Sequence, residues 1–342
     1  MTLNEFRELI FKKRKSVIIA GVVVLLVIGA VVLTERGGQE QNPPGDTNQE
    51  VQYPGGSQPS PAGVDISGVE ILTAVIPEEL NTYKLVSSPT SFSESEVVSF
   101  AKALGFGETW TSKDSAGGND SYVFTKGEKF LTVDTSPPSL FFSTGSLLPK
   151  GKVPSEERAV TAGESLLSKI GLEDLMPLPG SYRLLAADQN HFFSTGSSTT
   201  ANLVSVTFAP EKNSVPIRGG TSADLSATTF LDTTKTITSI RYYKTSLQFE
   251  LTGTVKIKPL DMALTEAQNG EGTVVGAEPF EELGADANPN VLSSFAPSSV
   301  YLAYYLSGDG SLTPIYVFEG TGVMESGEGK VIATVYLSAG NP

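Results

Sequence analysis

Few side chains in this chain have the chemistry of a reactive or ligand-holding site, and they are widely spaced. The one histidine, His191, sits in Asp188-Gln-Asn-His-Phe-Phe193. A Ser-His-Asp relay would have to run through it. A lone imidazole beside two phenylalanines and a Ser/Thr-rich stretch fits a turn or surface position better. The chain has no cysteine, so it has no thiol nucleophile and no disulfide, and zinc sites built from His and Cys are excluded by count. Asp286-Ala-Asn288-Pro-Asn290 begins like an oxygen-ligand calcium loop, but Val291 stands where that loop needs glycine and Pro297 where it needs glutamate. A solvated linker is the simpler reading. Glu156-Glu157 and Glu281-Glu282 are paired carboxylates of the kind that cleave glycosides, yet that chemistry depends on their separation in space. Helix starts and loops account for both pairs. The glycines cluster in turns such as Gly219-Gly220 and Gly308-Asp309-Gly310 rather than in a phosphate cradle. The sequence therefore assigns no catalytic residue, no cofactor and no metal ligand.

One cation remains. Arg218 lies in APEKNSVPIRGGTSADLSA, residues 209–227, and a second polar loop spans residues 188–201. Both are longer than a tight hairpin needs, and binding residues gather on exposed loops held by a rigid scaffold. A guanidinium in an acidic surround takes a carboxylate bidentately, so Arg218 is the candidate contact for a partner. The plainer alternative is an exposed residue on a solvated connection.

The elements that would position such a site begin with Val17–Leu33, VIIAGVVVLLVIGAVVL, an unbroken apolar run. As a helix it covers about 26 Å, close to the roughly 30 Å of a hydrocarbon core. Lys12-Lys13-Arg14-Lys15 precede it, and short basic segments stay in the cytoplasm. The expectation is a cytoplasmic basic tail at 1–16, a single transmembrane helix at 17–34 in membrane lipid, and an extracytoplasmic remainder. A cleaved signal peptide would end in an Ala-x-Ala-like site, which the run into Thr34-Glu35-Arg36 lacks. A pilin-type helix would need a Glu just inside the run, and none is there. Residues 35–65 are rich in Pro, Gly, Gln and Ser and read as a disordered tether.

From about Ile66 the pattern becomes foldable. Ser93 and Glu96 form a capping box before the apolar face Val97, Phe100, Ala101 and Leu104. Tyr122–Phe124 and Phe130–Val133 flank Lys126-Gly127 as a hairpin. A second helix opens at Pro154-Ser155-Glu156-Glu157 with Ala159, Ala162, Leu166 and Ile170 on one face. A third opens at Pro259 with Leu260, Ala263, Leu264 and Ala267. Strands follow each helix, among them Leu203–Phe208, Ile237–Tyr243, Val300–Leu306, Ile315–Phe318 and Val331–Leu337. The expected fold class is α+β: the transmembrane helix, then helix-plus-antiparallel-sheet units at 66–150, 151–258 and 259–342.

Several segments together resemble the YycI-like and PepSY-like extracytoplasmic modules. Asn213-Ser-Val-Pro-Ile-Arg-Gly219 resembles their hairpin return, and Asp232-Thr-Thr-Lys-Thr-Ile-Thr-Ser-Ile240 is similar to their next strand pair. Ile257-Lys-Pro-Leu-Asp-Met-Ala-Leu264 with Asn269-Gly270 resembles their helix, and Leu312-Thr-Pro-Ile-Tyr-Val-Phe-Glu-Gly320 their closing strand. The resemblance covers roughly Val153–Ala339. It implies a membrane-anchored, non-enzymatic regulator that contacts other envelope proteins, and it brings no catalytic residue. Composition narrows the partners further: 24 Lys+Arg against 38 Asp+Glu give a formal net charge of -14. Such a surface repels nucleic acid. The alternative class is an envelope hydrolase acting on peptide or glycan, which would show clustered carboxylates or a Ser/Lys pair in a cleft.

Overall fold

Alternation of apolar and polar residues, the period of a strand, governs most of the folded chain. The computed structural model describes residues 57–340 except 74, 88–90, 117–118, 146–150, 188–191, 196, 220–225, 235–236, 244–246, 281–290 and 326–328. The described residues form one compact unit.

In chain order the elements are β1 (Gln58–Pro59), β2 (Glu70–Ile71), β3 (Glu79–Ser87), α1 (Glu94–Ala103), β4 (Ser112–Ala116), β5 (Asn119–Lys126), β6 (Lys129–Thr135) and β7 (Pro138–Ser143). Then come α2 (Glu156–Lys169), β8 (Leu175–Pro177), β9 (Arg183–Ala187), β10 (Phe192–Ser194), β11 (Leu203–Lys212), β12 (Val215–Arg218), β13 (Ala227–Asp232), β14 (Ile237–Tyr243) and β15 (Gln248–Lys256). Last are α3 (Leu260–Gln268), β16 (Thr273–Pro279), β17 (Leu292–Leu306), β18 (Ser311–Met324) and β19 (Lys330–Ser338).

The strands form one hydrogen-bonded network in two halves, joined through the β11–β12 hairpin. The first half is antiparallel throughout and runs β4–β5–β6–β7–β14–β13–β11, with β8 and β9 on the far edge of β11 and β10 beyond β9. Helices α1 and α2 share one core on one face of it, with Val97, Phe100, Ala159 and Leu167 set among Leu131, Phe142, Val206, Phe208 and Ile240. The second half is built on the β17–β18 hairpin, with β19, β16 and β1 beyond β18. The ribbon β3–β15 joins β18 at Ser311–Leu312. β2 and β12 pair with β17 in parallel, so the network is mixed.

Local chemistry sets the helix limits. Ser93 Oγ accepts from the Glu96 N–H at 3.3 Å, and Glu96 Oε2 accepts from the Ser93 N–H at 2.8 Å, closing the reciprocal cap of α1. Gly163 lets α2 lie close on β11: a Cβ there would stand 2.4 Å from the Phe208 ring. Ala263 and Ala267 turn α3 toward Val300, Leu302 and Phe318.

The α+β expectation, with its repeated helix-plus-sheet units, is corrected. Strands hold 53% of the described residues and helices 14%, which makes the chain mainly β. The helices have 10, 14 and 9 residues, and each buries only two or three side chains. β17 and β18 reach 15 and 14 residues and bury nearly continuous runs on both faces. The pairings of β7 with β14 and of β3 with β15 carry the sheets across the sequence instead of closing each segment on itself. No described helix is long and apolar enough to cross a membrane. The stretch Val17–Leu33 lies outside the described residues. Order begins ahead of Ile66: Gln58 and Pro59 pair with Val274 and Thr273, and Val64 is buried beside α3.

Candidate functional site

Arg218 ends β12, and that short strand is placed by its hairpin. Asn213 and Ser214 turn the chain with φ of 53° and 62°, and the Asn213 amide donates to the Tyr83 hydroxyl at 2.8 Å. Ile217 and Arg218 then pair with Tyr304 and Tyr305 of β17. The result is enclosure. Arg218 is only 7% exposed, and its Nε donates to the Tyr336 hydroxyl at 3.0 Å.

Around it lies a polar cluster inside an apolar layer of Ala303, Tyr305, Ile315 and Val317. The Tyr301 hydroxyl donates to Glu319 Oε1 at 3.3 Å. Glu319, 4% exposed, also pairs with the Arg183 guanidinium, which donates in addition to the Gly180 carbonyl. Burial alone would lower the Arg218 pKa. The oxygens of Tyr301, Tyr336 and Glu319 outweigh it and hold the guanidinium charged above its ordinary value. Burial pushes the Tyr301 hydroxyl well above its ordinary range, against the pull of Arg218. This is an interior network of two guanidiniums, one carboxylate and two tyrosine hydroxyls that links β9 and β12 to β17, β18 and β19. It offers no guanidinium face to a partner, so the reading of Arg218 as an exposed contact is corrected. The cause is the parallel pairing of β12, which draws a Gly-flanked arginine inward.

The other sequence candidates disperse. His191, Glu281-Glu282 and Asp286–Asn290 lie outside the described residues. Glu156 and Glu157 occupy the exposed first turn of α2, where carboxylates suit the helix dipole. A second buried cation, Lys258, pairs with Glu266 of α3. Among the described residues no group of three or more His, Asp or Glu side chains is arranged to hold a metal.

Two depressions mark the described surface. One, about 460 Å³, lies along α1 and is lined by Glu94, Ser95, Val98, Ser99 and Lys102. The other, about 300 Å³, lies over the β4–β5 and β6–β7 turns and is lined by residues including Asp114, Asp120 and Asp134. Between them Lys113 pairs with Asp120 at 2.8 Å and stands 4.7 Å from the Tyr122 ring centre. Asp120 is therefore neutralised locally. Neither depression brings a nucleophile to a base or sets two free carboxylates face to face.

The residues that matter most inside, Arg183, Tyr301, Glu319 and Tyr336, are absent from the sequence candidates. Their signal is a single charge or hydroxyl in an apolar strand, as in Ile315-Tyr-Val-Phe-Glu319. Which strands face one another is not written in that pattern.

No protein-family model matches the chain, and the search of curated proteins found no match. By structure the chain is similar to an uncharacterized protein from Eubacterium rectale ATCC 33656, with 14% identity and a TM-score of 0.49 over 80% of this chain and 88% of that one. It is also similar to the Bacillus megaterium YpeB C-terminal domain, with 11% identity and a TM-score of 0.36 over 74% of this chain and 95% of that one. The second likeness is weak and partial. Neither carries the functional reading below.

Proposed function

We propose that this chain is a non-enzymatic interaction module of the cell envelope, held at the membrane by Val17–Leu33 with its C-terminal part outside. Its partner is another envelope protein, as the YycI-like side of the resemblance implies. The observation that supports this is the fate of the buried charges. Arg218 is held by the Tyr336 hydroxyl in the field of Glu319, Glu319 pairs with Arg183, and Lys258 pairs with Glu266. Catalytic sites leave perturbed groups facing a cleft, and here the most enclosed of the perturbed groups, Arg218 and Tyr301, face the core. Among the described residues, what the protein presents outward includes sheet surface and loops.

Protease added to spheroplasts carrying the full chain tests the placement. Degradation of everything after Leu33 is expected, and full protection overturns it. The same membranes, solubilised, should yield an envelope protein that co-purifies with the tagged chain at constant stoichiometry. Turnover of peptidoglycan or of a peptide by the purified chain would overturn the non-enzymatic reading.

A further inference from the structure

Among the described residues, one face of the first half of the strand network carries no helix. The described helices pack elsewhere: α1 and α2 on the opposite face and α3 on the β17–β18 half. On the open face a straight cross-strand row runs from Val123 through Thr132, Phe141 and Arg241 to Thr228. Each of these is only half-buried. At its middle the Arg241 guanidinium lies 6.0 Å from the centre of the Phe141 ring, and Phe141 lies 5.4 Å from Phe130. Stacking on an aromatic ring fixes a guanidinium without consuming its N–H donors. Among the described residues Arg241 has no carboxylate partner, in a chain of formal net charge -14.

Two residues along the same strands the sign reverses. Asp134 and Asp114 lie on the same face, in the row Asp114, Ser121, Asp134, Ser139, and line the depression of about 300 Å³. Two strand spacings across and two residues along place Asp134 roughly 12 Å from Arg241. The face thus presents a cation, a pair of phenylalanine rings, and an acidic recess, in that order.

We infer that this face docks a polypeptide segment of the partner protein, one carrying a carboxylate beside an apolar side chain and a Lys or Arg roughly 12 Å away. This rests on the reading of the chain as an interaction module and names the surface that performs it. Charge complementarity selects a polypeptide. An anionic glycan or lipid headgroup answers Arg241 but is repelled by the two aspartates, whereas a peptide supplies both signs at fixed spacing. The carboxylate-reading arginine is thereby Arg241, on the open face, in place of the enclosed Arg218.

The test is selection of a displayed library of random peptides, about twelve residues long, on the full chain and on its Arg241→Glu variant. The native chain should enrich sequences with an acid next to an aromatic or aliphatic residue and a base about four positions away, the extended spacing of ~12 Å. Arg241→Glu should weaken the selected peptide about tenfold or more and should itself enrich a base at the acid's position. Asp134→Lys should relax the preference for the distal base. Identical sequences from both proteins, or none enriched, overturn the inference. So does Arg241-dependent binding of muropeptide-free glycan strands or anionic vesicles in place of peptide. If a partner co-purifies with the native chain and equally with Arg241→Glu, the module stands and this surface falls. If nothing co-purifies with the native chain, the underlying reading falls.

Discussion

The two halves of the strand network treat their second face in opposite ways. Around β17 and β18 both faces are enclosed. Leu302, Tyr316 and Phe318 meet α3, and Tyr301, Ile315 and Val317 meet the layer that holds Arg218. Around β6, β7 and β14 one face meets α1 and α2, and the other keeps Phe130, Phe141 and Arg241 half-buried. The same residue type therefore has two fates. Arg218, in a strand with a partner layer on each side, is held by the Tyr336 hydroxyl and made part of the core. Arg241, in a strand covered on one side, stays available. A buried charge costs heavily unless paired, and removing one partner leaves the other stranded. A half-exposed guanidinium carries no such penalty.

The sharpest break of this contrast is Glu319→Ala. It removes the carboxylate that faces the buried Arg218 and pairs with Arg183, and should lower stability by about 3–5 kcal/mol in denaturant unfolding. A loss below about 1 kcal/mol, the size of a surface pair, would mean the cluster is solvated.

Alkaline pH should act on the same half. Burial raises Tyr305 and Tyr316 from 10 to about 12. A folded-state pKa above the unfolded one gives stability that is complete below pH ~10 and is lost as pH climbs toward ~12, at about 1.4 kcal/mol per unit for each group. Circular dichroism against tyrosinate absorbance reads this. Tyrosines that ionise near pH ~10 with the fold intact would contradict it.

Gly163→Ala probes the covered face of the other half. The added methyl meets the Phe208 ring at 2.4 Å and Thr229 Oγ1 at 3.0 Å, so α2 must shift, for about 1–3 kcal/mol of destabilisation. A neutral result would show that α2 rests loosely on β11.

The smallest effect concerns the hairpin that joins the halves. Ser214 holds φ of 62°, a conformation glycine adopts without strain. Ser214→Gly should raise stability by about 0.5–1 kcal/mol. A loss would mean that the Ser214 side chain contributes more than its backbone costs.

Much of the local structure was legible in the sequence. Ser93 and Glu96 announce the start of α1, and Lys126-Gly127 marks the turn between β5 and β6, because caps and turns are decided by neighbours along the chain. The class was not. Val300–Leu306 and Ile315–Phe318 are recognisable strands, but their extension through Leu292 and Met324 depends on cross-strand partners distant in sequence. The site was misplaced for the same reason. Arg218 sits among Pro216, Gly219 and Gly220, a composition that signals an exposed loop, while its parallel pairing with β17 is a long-range contact. Arg241, in Ser239-Ile-Arg-Tyr-Tyr243, alternates as a strand residue should. Its period assigns it to the face opposite Ile240 and Tyr242, but not whether that face is covered.

The contrast between the two arginines reduces to one measurement, the denaturant unfolding free energy of Arg218→Ala beside that of Arg241→Ala. Loss of the enclosed arginine removes a donor to Tyr336 and opens a cavity, and should cost about 2–5 kcal/mol, and loss of the open one about 0.5 kcal/mol or less. Equal losses, or a larger loss at Arg241, would contradict the division of the molecule into an enclosed half and an open one.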